Sequence, residues 1–148
     1  MNTGDTDVTG AVLHVLRGLP RAGKSTTCRR IQDIYGNVPI VSKDSIRLAL
    51  HGQPFLEALE PEVHQIAKVM LKALLYSGHR QVIIDECHTR DAYVRAIADE
   101  HPTCIIKEWV IPTPPDICIQ RAIDCGQDYL LPVITSMAAQ AEFGFSAE

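Results

Sequence analysis

The 148-residue sequence has no apolar run of the roughly eighteen residues needed to span a bilayer, which argues against a membrane protein. Its opening, MNTGDTDVTG, is polar and acidic, without the basic and then apolar stretches of a secretion signal. An excess of positive charge is also missing. The formal net charge is −4, so there is no electrostatic footprint of a protein that grips long nucleic acid through many phosphates. Local patches remain compatible with that charge, and basic residues do cluster from Arg17 to Arg30. The five cysteines, Cys28, Cys87, Cys104, Cys118 and Cys125, are odd in number and contain no CxxC pair. Several sit in apolar runs, as buried free thiols do, and a reduced cytoplasm is the expected location. Internal repeats and low-complexity segments are lacking as well.

What is present is ordinary for a folded domain: 46% hydrophobic and 22% charged residues, at a length that buries one sizeable core without disulfides or metals. The expected organisation is a disordered leader over residues 1 to about 10, then a single domain over 11–148. Apolar runs predict strands at Val12 to Leu16, Val38 to Val41, Gln81 to Asp85 and Cys104 to Ile111. Helical spacing predicts helices from Lys24 to Ile34 with Thr27, Ile31 and Ile34 inward, and from Ser45 to about Leu50 behind a Ser42 or Asp44 cap. The clearest helix runs from Pro61 to Tyr76, with Val63, Ile66, Ala67, Met70, Leu71 and Leu74 on its apolar face. Thr89 or Asp91 begins another, and two more are predicted from Pro114 to Cys125 and from Pro132 to Glu142. Strands alternating with helices predict an α/β fold: a mainly parallel sheet covered by helices on both faces.

Gly18-Leu-Pro-Arg-Ala-Gly23-Lys24-Ser25 matches GxxxxGK(S/T) in full, between a predicted strand and a predicted helix. This is the phosphate-binding P-loop, and it predicts binding of Mg·ATP through Gly18, Gly23, Lys24, Ser25 and Thr26. The glycines let backbone N–H groups wrap a phosphate, the helix N-terminus adds a favourable dipole, Lys24 reaches the β and γ oxygens, and Ser25 ligates Mg²⁺. Asp85 closes the third strand, where P-loop proteins place a carboxylate that holds Mg²⁺ directly or through water. Its neighbour Glu86 admits a second reading, since a strand-ending acid pair also suits an ATPase whose second carboxylate activates water.

Ser42-Lys43-Asp44-Ser45-Ile46-Arg47 follows the second strand about twenty residues beyond Lys24. Here the chain resembles the polynucleotide 5′-kinase group of P-loop kinases, in which GxPxSGKST precedes a strand and a D-x-x-R element. The resemblance implies the P-loop NTPase three-layer fold, with Asp44 as the base that deprotonates an acceptor hydroxyl and Arg47 as the residue that holds an acceptor phosphate. It spans roughly residues 12 to 140 but is specific at the P-loop, at Asp44 and Arg47, and at Asp85. It also implies that Arg121 supplies a cation to the transferring phosphate. Family lids carry a second basic residue a few positions on, whereas this chain reads Asp124-Cys125-Gly126-Gln127-Asp128. Arg90 and Arg95 are looser candidates for placing the acceptor.

The expected activity is therefore transfer of the ATP γ-phosphoryl to a primary alcohol. A DNA partner, held by weak or local contacts, fits the family: either a 5′-hydroxyl end or, as in compact phage kinases, the hydroxymethyl group of 5-hydroxymethyluracil in DNA. The cytoplasm of a bacterial or phage-infected cell would house such an enzyme. Two alternatives keep the P-loop: a small-molecule or nucleoside kinase, which the acidic charge suits, and an ATPase or switch without an acceptor. Cys87 and His88 suggest a metal only in isolation, because a structural zinc site needs about four ligands and no second pair exists. His14 and His64 read as strand and helix-surface residues.

Overall fold

The computed structural model describes residues 9–52 and 56–146. Residues 1–8 of the expected leader lie outside the described residues. Gly10, at its end, donates its N–H to the Thr103 carbonyl at 2.9 Å.

Four strands, β1 (Val12–Arg17), β2 (Ile40–Ser42), β3 (Gln81–Asp85) and β4 (Ile105–Val110), form one sheet in the order β2-β3-β1-β4. Every pairing is parallel. Parallel neighbours require crossover connections, and helices supply them: α1 (Lys24–Tyr35), α2 (Lys43–His51), α3 (Glu60–Tyr76) and α4 (Asp91–Glu100). Two helices, α5 (Pro115–Asp124) and α6 (Leu131–Gln140), follow β4. The expected α/β architecture is thus present, with helices on both faces.

Alternation along β1 explains the two layers. Leu13 and Val15 face a core built with Ile46 of α2, Val63, Ala67, Leu71 and Leu75 of α3, and Val94 of α4. Leu16 faces the opposite way, against Cys28 and Ile31 of α1 and Ile83 of β3. A third cluster joins Leu19 and Ala22 of the glycine-rich loop to Cys118 and Ala122 of α5 and Ile134 of α6. That cluster fixes the loop to the C-terminal helices.

Several boundaries and faces differ from expectation. Helix α2 begins at Lys43, two residues early, because Ser42 accepts the Ser45 N–H and is the cap. Helix α4 begins at Asp91 rather than Thr89, and α6 ends at Gln140. In α1 the buried residues are Cys28 and Ile31, while Ile34 is 64% exposed. In α3, Leu75 is fully buried and Met70 is 37% exposed, so the inward stripe runs Val63, Ala67, Leu71, Leu75. The expected α3 face is otherwise present, with Ile66 and Leu74 packed beside the buried Val63, Ala67 and Leu71, whereas in α1 Ile31 is buried as expected and Cys28 takes the inward place expected of Thr27.

His14 is a core residue of β1, as its strand position predicted. Its ring lies between Gln81 Oε1 at 2.7 Å and the indole N–H of Trp109, which donates to Nδ1 at 3.0 Å. With Nδ1 accepting, the ring proton sits on Nε2 and donates to Gln81, so the bonded form is neutral. Burial lowers the His14 pKa, and nearby Lys107 adds to that effect. The folded pKa lies below the unfolded one, so the unfolded chain takes up its proton first. Stability from this site is complete above about pH 6.5 and is lost as pH falls through that value toward the folded pKa. Chemical denaturation from pH 7.5 to 5 should show this fall in the wild type. In His14→Leu, less stable throughout, that component of the slope should be absent.

Candidate active site

Both pairing partners of β1 extend their carboxyl ends to the same edge, and the predicted functional groups collect there. Gly18 follows β1 directly and donates its N–H to the Cys87 carbonyl at 3.0 Å. A side chain would be crowded at this point: a Cβ on Gly18 would lie 3.2 Å from Ile111 Cβ and 3.3 Å from its carbonyl oxygen, so Ile111 would have to give by a few tenths of an ångström. Gly23, the cap of α1, has φ 114°, a conformation that L side chains rarely adopt. The two glycines of the motif thus have different reasons, one of space and one of backbone angle.

Between them the loop is held from behind. Ala22 donates its N–H to the Leu19 carbonyl at 3.0 Å, and the Ala22 carbonyl accepts from Thr113 Oγ1 at 2.8 Å and from Arg121 Nη1 at 3.3 Å. Because a trans peptide unit points its N–H opposite to its C=O, this outward carbonyl turns the Gly23 N–H toward the other side of the loop. Lys24 Nζ donates to the carbonyls of Gly18, at 3.2 Å, and Leu19, at 2.8 Å, and lies 3.4 Å from Cys87 Sγ. Thr26 is exposed and accepts from Arg29 Nη2 at 3.3 Å.

A groove of about 400 Å³ opens beside the loop, lined by Ser25, Arg29 and Gln32 of α1, Ile40 and Ser42 of β2, Asp44 and Ser45 of α2, and Asp85 of β3, among others. Three residues predicted from separate stretches of sequence, Ser25, Asp44 and Asp85, therefore share one cavity. Ser25 and Asp85 offer hard oxygen donors of the kind Mg²⁺ selects, and burial raises the Asp85 pKa while Lys24 opposes the rise. A half-buried carboxylate whose charge is disfavoured by burial suits a cation that would restore it. Asp44 is exposed at its carboxylate, with 87% of the side chain accessible.

Arg47 lies one turn beyond Asp44 and bonds its Oδ1 at 2.7 Å. Its other side is gripped by Glu60, through Nε at 2.9 Å and Nη2 at 2.6 Å. Reading the sequence missed Glu60, for no motif spacing links it to Arg47. Arg121 sits on the outer side of the loop, with Nη1 3.1 Å from the Arg21 carbonyl as well as on Ala22. Arg90 is exposed and lies 3.7 Å from Glu142, and Arg95 is on the exposed face of α4; neither lines the groove.

Glu86 is pinned. Lys43 Nζ reaches Oε1 at 2.5 Å and His88 Nε2 lies 3.4 Å from Oε2. Burial disfavours its charge, but His88 and Lys43 outweigh burial and hold its pKa down at about 2. His88 is itself fixed by its Nδ1–H, which donates to the Leu16 carbonyl at 2.6 Å. Cys87 and His88 thus point to different partners, and the described residues contain no cluster of three or more His, Cys, Asp or Glu placed to hold a metal. Neither does any helix among them have the length and apolarity to cross a membrane.

No family model and no curated protein matches the sequence. Solved structures do. A chain of the Pnkp1/Rnl/Hen1 complex superposes with TM-score 0.67 at 23% identity over 77% of this chain and 40% of its own. A second structure, of the Pnkp1/Rnl/Hen1 RNA repair complex, gives 0.68 at 16% over 98% of this chain and 50% of its own. A gluconokinase from Sinorhizobium meliloti gives 0.60 at 15% over 93% and 77%. The chain thus has the fold of the P-loop kinases, and it spans half or less of the length of the two repair-complex chains.

The Glu86 pair makes a pH prediction. Its folded pKa lies below the ordinary 4.5, so the stability it contributes is present above that value and lost as pH falls toward 2. The shift corresponds to roughly 3 kcal/mol. Glu86→Gln should be less stable than wild type at pH 7, and the gap measured by denaturation should close as pH falls from 4.5 to 2.

Proposed function

We propose that this protein is an ATP-dependent phosphotransferase. It moves the γ-phosphoryl of Mg·ATP to a primary hydroxyl on a nucleic acid, either a 5′ end or the hydroxymethyl group of 5-hydroxymethyluracil in DNA. The observation that carries this reading is the groove shared by Ser25, Asp44 and Asp85. An acceptor seated there lies next to the phosphate loop with an accessible carboxylate beside it. Arg29, one helical turn beyond Ser25 on the same face of α1, gives the groove a cation for a phosphate-bearing acceptor.

In this reading the acceptor oxygen bonds to the γ-phosphorus while the bond to the β–γ bridging oxygen breaks, and ADP leaves with that electron pair. Asp44 takes the hydroxyl proton. Lys24 neutralises the migrating group, and Arg121 acts on the phosphates only by leaving the Arg21 and Ala22 carbonyls that it holds from the outer side of the loop. Arg47, locked by Glu60 and outside the groove lining, orients Asp44. Mg²⁺ held by Ser25 and Asp85 would supply positive charge at the phosphate oxygens. An internal base would have to be flipped out to reach Asp44.

A small-molecule or nucleoside acceptor is the second reading, favoured by the likeness to a gluconokinase and by the net charge of −4. The ATPase reading is weaker on physical grounds. It needs Glu86 as a free base, and a carboxylate held between Lys43 and His88 with a pKa of about 2 binds protons poorly.

The test is transfer of labelled γ-phosphate to a 5′-hydroxyl oligonucleotide, to DNA carrying 5-hydroxymethyluracil, to nucleosides, and to buffer alone. Label on one of the DNAs, lost by about 100-fold or more in Asp44→Asn with Mg·ATP affinity intact, is the expected result. Label on no acceptor, with equal phosphate release in buffer, would sink the kinase reading. Glu60→Gln weakens the clamp on Arg47, and kcat with the accepted substrate should fall about tenfold while the KM for Mg·ATP stays within twofold. An unchanged kcat would remove Glu60 from the site.

A further inference from the structure

Glu86, too tightly held to serve as a free base, stands where two strands and the phosphate loop meet. Ser42 pairs with Asp85 at the ends of β2 and β3. One residue further along each chain are Lys43 and Glu86, and their ion pair, at 2.5 Å, continues the pairing of the two strands past the last backbone register. Lys43 opens α2, and Asp44 is the next residue. The other oxygen of Glu86 lies 3.4 Å from His88 Nε2, and the His88 Nδ1–H donates to the Leu16 carbonyl at 2.6 Å. Leu16 belongs to β1, two residues ahead of Gly18. Three side chains therefore run without a gap from the root of the phosphate loop to the helix that carries Asp44.

Burial separates this chain of contacts from an ordinary surface ion pair. The side chains of Lys43, Glu86 and His88 are 16%, 25% and 4% exposed, so solvent and salt screen their charges little. The backbone at His88 has φ 43°, a left-handed conformation that a non-glycine residue adopts at a cost in strain. Its surroundings impose that conformation: the His88 carbonyl accepts from Arg17 Nε at 2.9 Å while the ring is bonded to Leu16. Asp44 and Asp85, by contrast, are like charges that line one groove. Their repulsion pushes the start of α2 away from the end of β3, and the Lys43–Glu86 pair opposes it from the adjoining positions. Neither Lys43, Glu86 nor His88 lines the groove itself.

We propose that His88, Glu86 and Lys43 form a positioning relay, which sets Asp44 against the phosphate loop and couples α2 to the occupancy of that loop. Glu86 and Lys43 are positioning residues: they act through Asp44 and touch neither nucleotide nor acceptor. A phosphate bound in the loop restrains the end of β1, and that restraint passes through the three side chains to the first turn of α2. The effect on rate rests on the kinase reading, with Asp44 as the base. The effect on α2 needs only a bound nucleotide.

The experiment compares wild type, the double variant Lys43→Met/Glu86→Gln and Lys43→Arg. Each is followed by melting temperature, by transfer kinetics, and by amide hydrogen exchange of residues 43–51 with and without a non-hydrolysable Mg·ATP analogue. Glu86→Gln alone strands a buried charge, whereas the double variant leaves neither partner unpaired and should melt near the wild-type temperature. Its kcat should nevertheless fall about tenfold or more, with the KM for Mg·ATP within about twofold, a split that a merely structural pair does not produce. The analogue should slow exchange in residues 43–51 of wild type and leave it unchanged in the double variant, where exchange in α1 still slows. Lys43→Arg, which keeps the ion pair, should retain most of both properties. Should the double variant not fold, Lys43→Gln carries the same test, since Glu86 keeps His88. A folded variant without the pair that transfers at the wild-type kcat, or whose α2 responds to the analogue as wild type does, would overturn the proposal. Transfer to no acceptor by wild type, with the exchange response lost in the double variant, would uphold the relay while the kinase reading fell.

Discussion

The site depends on β1 lying between two parallel partners. Val12 to Val15 pair with β3 on one side, and Val12 to Arg17 pair with β4 on the other. Parallel pairing brings the carboxyl ends of neighbouring strands to one edge, so the loop after β1 emerges beside Asp85 at the end of β3, and Ser42 pairs with Asp85 at the end of β2. Ligands of open α/β sheets bind at that edge for the same reason. Arg17, the last residue of β1, is 5% exposed and ties the edge together through the His88 carbonyl and the carboxylates of Asp91 and Glu108.

Charge is distributed unevenly around the frame. On the β2 side, Asp44 and Asp85 face Arg29 across the groove, while Arg47 and Lys43 are each bound to a carboxylate. On the α5 side, the arginines beside the loop have backbone or sulfur partners. An acidic, partly compensated face suits a hydroxyl that must lose a proton. The modest net charge of the whole chain conceals this division.

Much of the architecture was legible in the sequence because its signals are local. A glycine-rich loop between an apolar run and a helix, an acid at a strand end, and a D-x-x-R turn are each read within a few residues. What escaped were pairings across the chain. Glu60 grips Arg47 from another helix, and Lys43 at the start of α2 meets Glu86 just beyond β3, with no periodicity to reveal either. The arginine cluster from Arg17 to Arg30 was visible as composition, but its members divide among a strand end, a loop apex and a helix face. On the long helix only the margins of the apolar face differ: Met70 is partly exposed and Leu75 is buried in addition to Val63, Ala67 and Leu71.

The backing of the loop has a consequence for folding kinetics. The motif lies within the first 25 residues, yet Ile111, Thr113 and Arg121, which shape it, come from the last third of the chain, and Val12 pairs with Ile105. Closing such a span is an early entropic loss that only later contacts offset. A nascent chain that has exposed the motif but not α5 therefore lacks a formed nucleotide cradle. Nucleotide can stabilise only the nearly complete fold, so binding would slow global unfolding without rescuing partly folded intermediates.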